Sequence, residues 1–140
     1  MKTILLTVRG LVTPQPRHQV ARHSGRAYIP TKHKIHTWKT ALRDAVCDQS
    51  ADGPSEDLCE VSLKFYIPIS KTCRKMDGSA NSRCQPTSRY DIDNLSKAVL
   101  DCLQGEDCLL VDDKQVVKLT ASKSWTEDEE GRCEIRIKFL

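Results

Sequence analysis

At 140 residues the chain can bury one real core and has little material for a second, so a single domain spanning 1–140 is expected. With 39% hydrophobic residues, 29% charged residues and a mean hydropathy of −0.49, it is neither a disordered chain nor one embedded in a bilayer, and no membrane partner is expected. The formal charge of +3 conceals a segregation: nine Lys and Arg and all four histidines precede the first acid, Asp44, whereas the other 13 cations share their span with all 19 acids. The amino-terminal third therefore suits a polyanion, because clustered cations release the counterions condensed on phosphates, although a merely solvated basic face has the same composition.

In chain order, Ile4 to Val8 reads as a first strand ending at Gly10; Arg9 interrupts the apolar run before it reaches signal-peptide length, and no small-residue cleavage site follows. Thr13 to Pro30 contains three prolines, three arginines and two histidines, a composition that resists helix and sheet and keeps its cations in solvent. This loop is the expected phosphate contact, through Arg17, Arg22 and Arg26 together with Lys32 and Lys34 just beyond it. Thr31 to Cys47 reads as a helix capped by Thr31, with Ile35, Trp38, Leu42, Ala45 and Val46 as its apolar stripe and Lys32, Lys39 and Arg43 opposite; Trp38 is expected in the core.

After a polar turn region from Asp48 to Asp57, Val61, Leu63, Phe65, Ile67 and Ile69 alternate as one face of a strand. Ser70 to Ser88 is irregular, and then Ile92, Leu95, Val99 and Leu103 mark a second helix closed by Gly105. Leu109 to Val111 is expected as a short strand, Val117, Leu119 and Ala121 as the next, Glu127 to Gly131 as an acidic turn, and Ile135, Ile137 and Phe139 as the inward face of the last strand. That order implies an α+β fold, a mixed β-sheet with two helices packed on one face.

Seven cysteines without a C-x-x-C pair do not fit a zinc ribbon: neither Cys73/Cys84 nor Cys102/Cys108 has the spacing, and free thiols in a reducing cytoplasm are expected. His33 and His36 lie three residues apart on a lysine-rich face and read as solvated or phosphate-facing.

The chemistry-bearing stretch runs Arg89-Tyr90-Asp91-Ile92-Asp93-Asn94-Leu95-Ser96-Lys97-Ala98-Val99-Leu100-Asp101, followed by Val111-Asp112-Asp113-Lys114-Gln115-Val116. Asp93 and Lys97 stand one helical turn apart, Asp101 one turn further, and Asp91 at the helix start. Carboxylates converging from this helix and from the Asp112-Asp113 pair would form a hard-oxygen cage suited to Mg²⁺, with Mn²⁺ as a substitute, and Lys97 would stabilise developing negative charge. The same residues also fit a plain reading in which Asp91 caps the helix, Asp93 and Lys97 form an ordinary i,i+4 ion pair, and the aspartate pair is a turn.

Asp-Ile-Asp-Asn-Leu-x-Lys-Ala-Val-Leu-Asp followed by Asp-Asp-x-Gln-Val resembles the signature of the RusA-type Holliday junction resolvases. So do Gly10, Pro14, Pro16-Arg17 and Gly25-Arg26-Ala27-Tyr28-Ile29-Pro30 before the first helix, and Lys123 after the aspartate pair. The resemblance implies metal ligands at Asp91, Asp93 and Asp113, with Asp112 as a further ligand or support, an active-site lysine at Lys97 and a nucleic-acid contact at Lys123. It also implies a cytoplasmic, bacterial or phage-encoded homodimer that binds four-way DNA junctions and, with Mg²⁺, cuts symmetrically placed strands, since a two-fold dimer meets symmetry-related phosphates. Tyr90, directly before Asp91, departs from the pattern and has two readings, a base-stacking aromatic or a core residue. Two rival functions keep most of these features: a non-catalytic protein that binds branched DNA, and a nuclease acting on other branched nucleic acids.

Overall fold

The computed structural model describes residues 2–10, 19–28, 35–49, 53–79 and 91–140. Their elements are, in chain order, β1 (Thr3–Arg9), β2 (Gln19–Val20), β3 (Ala27–Tyr28), α1 (Ile35–Gln49), β4 (Cys59–Pro68), α2 (Ile92–Leu103), β5 (Val116–Thr126) and β6 (Arg132–Phe139). Four strands form one sheet in the order β1-β6-β4-β5; β6 is antiparallel to both β1 and β4, and β5 runs parallel to β4. The sheet is mixed for a reason visible in the chain. Parallel neighbours cannot be joined by a tight turn, and the connection from β4 to β5 carries α2.

Period-two alternation gives the sheet one apolar face. Register aligns Ile4, Ile137 and Val61 in one row, Leu6, Ile135 and Leu63 in the next, and Val8, Cys133 and Phe65 in a third, all buried. Both helices cover that face, α1 with Ile35, Trp38, Leu42 and Val46 and α2 with Leu95, Ala98, Val99, Cys102 and Leu103. The expected α+β architecture, the helical stripes and the place of Trp38 in the core are borne out.

Four local expectations are corrected. Within the stretch expected to resist sheet, β2 and β3 pair antiparallel; Gly25 adopts a positive φ of 67°, and the Ala21 amide donates to the Arg26 carbonyl at 2.9 Å, closing a tight turn. Leu109 to Val111 forms no strand, because the amides of Leu109 and Leu110 both donate to the Leu103 carbonyl and fold the segment back onto the end of α2. The aspartate pair consequently precedes an edge strand, β5, instead of following a buried one. Cysteines 47, 59, 102, 108 and 133 form no disulfide, but Cys73 is disulfide-bonded, against the expectation of free thiols. Thr31, the expected cap of α1, lies outside the described residues, as does Cys84.

Candidate active site

The crossover from β4 to β5 carries all the acids singled out above. Asp91 occupies the N-cap position of α2 with extended backbone (φ −72°, ψ 128°), yet its carboxylate makes no capping hydrogen bond. Its carbonyl alone accepts the Leu95 amide, at 3.1 Å, so the exposed Asp91 side chain is not consumed by the helix end. Asp93 Oδ1 accepts the amide of the next residue, Asn94, at 2.9 Å. Ser96, buried on the inner side of α2, donates back to the Ile92 carbonyl at 2.7 Å.

Lys97 does not form the i,i+4 pair with Asp93 that the plain reading offers. Its Nζ lies 3.9 Å from Asp101 Oδ1, on the other side by one turn, and Asp101 Oδ2 lies 3.9 Å from Lys39 Nζ of α1. Asp101 thus stands between two ammonium groups, while the Lys97 side chain remains 60% exposed. Asp93 is left without an ion pair among the described residues.

The second acidic segment is a 3₁₀ turn, Asp113–Gln115, capped by Asp112. Asp112 Oδ1 accepts the Lys114 amide at 2.9 Å. That amide, with a smaller contribution from the neighbouring Asp113 side chain, holds the Asp112 carboxyl below the ordinary carboxylate range. Gln115 bolts the turn down: its Oε1 accepts the amides of Val111 and Asp112 at 2.8 and 2.9 Å, and its Nε2 donates to the carbonyls of Ser55 and Asp57 at 2.7 and 2.8 Å. From the other side, Gln104 at the end of α2 accepts the Asp113 amide at 3.0 Å. Asp113 is therefore held by its backbone while its side chain stays exposed.

Between α2 and β5 these elements enclose an open cleft of about 320 Å³. Asp93, Lys97, Asp101 and Asp113 line it, over an apolar floor that includes Leu100, Leu119 and Ala121. The cleft is elongated, since Asp93 and Asp101 are eight residues apart on one helix and so about 12 Å apart along its axis. Asp91 is not among the lining residues, and among the described residues no group of three or more His, Cys, Asp or Glu is gathered closely enough to share a metal ion. Asp91 stands at the N-cap ahead of the helix, and one carboxylate oxygen of Asp112 is taken by the Lys114 amide.

Asp93 and Asp113 are exposed carboxylates on this lining, Asp93 in the first turn of α2 and Asp113 against Gln104 at the other end of the helix. Each is a hard oxygen donor of the kind Mg²⁺ takes, since that ion commonly uses one or two protein carboxylates and completes its shell with water and phosphate oxygens.

The basic residues are dispersed. Arg22 and Arg26 are exposed around the β2–β3 turn, and Lys123 is half-buried on β5 opposite Phe65, outside the cleft lining. Arg17, Lys32, Lys34 and Tyr90 lie outside the described residues. Reading by spacing gave no role to Asp101, Gln104 or Gln115. Asp101 was within reach of such reading, as the i,i+4 partner of Lys97, and Gln115 completes an Asp-x-x-Gln capping box, but Gln104 carries no local signal.

Comparison with known proteins bears on this geometry. A family model described as endodeoxyribonuclease RusA matches residues 10–138. Over 142 residues the chain is 26% identical to a Bacillus subtilis (strain 168) protein, named only as uncharacterized protein YqaN, covering 99% of this chain and 97% of that protein.

Proposed function

Because this chain belongs to the RusA endodeoxyribonuclease family, we propose that it is a metal-dependent endonuclease that resolves four-way DNA junctions by paired symmetric nicks, acting as a homodimer in the cytoplasm of a bacterium or phage host. The observation that carries the reading is the placement of Asp93, Lys97 and Asp113 on the wall of one open cleft.

Asp91, Asp93 and Asp113 would hold Mg²⁺, or Mn²⁺ in its place, with Asp112 as a further ligand or support. The bound cation would supply Lewis-acid polarisation of a phosphate oxygen and a nucleophile at neutral pH. Lys97, exposed at the middle of the cleft, attracts the phosphodiester and donates to the oxygens on which negative charge develops. Asp101 keeps that ammonium over the cleft while leaving its outer side free. The apolar floor displaces water beneath the phosphate, which strengthens each of these contacts. Arg17, Arg22, Arg26, Lys32, Lys34 and Lys123 are the proposed DNA contacts of the basic segment and of β5.

The test is incubation of the purified protein with synthetic four-way junctions and Mg²⁺. Asp93→Asn and Asp113→Asn are expected to lose nicking by at least about a hundredfold while still shifting the junction in a gel. Absence of nicks across a range of junction sequences in Mg²⁺ and Mn²⁺ rejects the reading. A non-catalytic junction binder is favoured by one observation, the lack of a three-carboxylate group among the described residues, and it requires binding without product at any metal concentration.

A further inference from the structure

Among the described residues the helices cover one face of the sheet, and the other face is basic. Register places four mixed rows across it: Thr3, Lys138, Glu60 and Lys118; Leu5, Arg136, Ser62 and Thr120; Thr7, Glu134, Lys64 and Ser122; and Arg9, Arg132, Tyr66 and Ser124. Six cations thus share this face with two acids, although the chain beyond Arg43 is acidic as a whole. Arg132 is already engaged, by Asp128 at 3.1 Å, by Glu134 at 3.3 Å and by stacking on the Tyr66 ring at 3.8 Å. The other five, Arg9, Lys64, Lys118, Arg136 and Lys138, have no ion pair among the described residues.

A groove of about 380 Å³ runs across β1, β6, β4 and β5, walled by Arg136, Lys64, Ser62, Thr120 and Ser122 together with Glu134 and the exposed Leu5. Cations interleaved with hydroxyls are the side chains that contact a nucleic-acid backbone without reading bases. A second copy of the chain is a poor occupant, because it would set like charges against like across the contact.

Strand β5 connects this groove to the candidate cleft. Thr120 and Ser122 project into the groove, whereas Leu119 and Ala121, their neighbours in sequence, line the cleft. An edge strand is all that separates the two surfaces, so a duplex held on one leads around that edge to the other.

We propose that the uncovered sheet face is a second DNA-binding surface, which grips the phosphate backbone of a duplex arm while the cleft engages the scissile strand. The inference rests on the reading of the chain as a protein that acts on DNA.

The test is fluorescence-anisotropy binding of the full chain to a four-way junction and to a linear duplex, in EDTA so that no cutting intervenes. The triple variant Lys64→Gln, Arg136→Gln, Lys138→Gln is expected to bind both at least about tenfold more weakly, with the slope of log affinity against log salt shallower by about three. If the triple variant melts below the parent, Arg136→Gln alone is read for a slope change of about one. Unchanged affinity and slope in folded variants overturn the proposal. A switch in oligomeric state by sedimentation also overturns it, assigning the face to contact between copies. A parent that binds DNA without cutting it removes the nuclease reading and leaves this surface standing, whereas a parent that binds no DNA removes both.

Discussion

The Gln115 side-chain amide donates to the Ser55 carbonyl at 2.7 Å, joining two points 60 residues apart and fixing the turn that presents Asp113. Both ends of this side chain are saturated, in a part-buried setting. Gln115→Leu keeps much of the volume, removes four hydrogen bonds and takes from the Asp112 amide and the Asp57 carbonyl the partner that Gln115 gives them, so a stability loss of about 2–4 kcal/mol is expected by urea denaturation. A midpoint equal to the parent's would show that the turn is held by other means.

Lys97 and Asp101 are 3.9 Å apart, with Lys39 on the far oxygen of the same carboxylate. Lys97→Met is expected to lower single-turnover cleavage by about 10²–10³, the scale found when one charge-stabilising donor is removed. Asp101→Asn should lower it by less, about tenfold, because the ammonium survives and only its placement is lost. Equal defects in the two variants would contradict this division of labour.

Alkaline pH should weaken the fold. Burial pushes the Cys133 thiol up to about 12, well above the ordinary thiol range, and moves Cys59, Cys102 and Cys108 in the same direction. Below about pH 8.5 these thiols are protonated in both states and add no pH dependence. Above 9 the unfolded chain loses protons that the folded chain keeps, so stability falls, by up to about 1.4 kcal/mol per pH unit for Cys133 until pH approaches 12. Denaturation between pH 8 and 11 measures this slope, and Cys133→Val should flatten it partly; a slope identical in the variant would assign the loss elsewhere.

Gly131 immediately precedes β6 at a point where a side chain has no room: a Cβ there would sit 2.7 Å from the Tyr66 carbonyl oxygen and 3.0 Å from the Pro68 ring. Gly131→Ala should therefore destabilise the protein by about 1–3 kcal/mol, since the obstructing atoms include strand backbone that cannot swing aside. An unchanged melting temperature would mean that the β5–β6 turn yields easily.

Residue order alone determined the periodic elements and the identity of the acids. Alternation in Val61 to Ile69 and in Ile135 to Phe139, and the 3-4 spacing of α1 and α2, follow from which side chains must leave water, so they are legible locally. The resemblance carried by Asp91 to Gln115 was legible because it lies in residue types at fixed spacing along the chain, as was the family it pointed to. Only tertiary structure decided that Lys97 turns to Asp101 instead of Asp93, that the Asp91 carboxylate is not spent on capping α2, that Gln115 reaches back to Ser55, and that no described helix covers the basic face of the sheet. Those outcomes depend on which distant segments share a surface, and the parallel pairing of β4 with β5 across an intervening helix sets that.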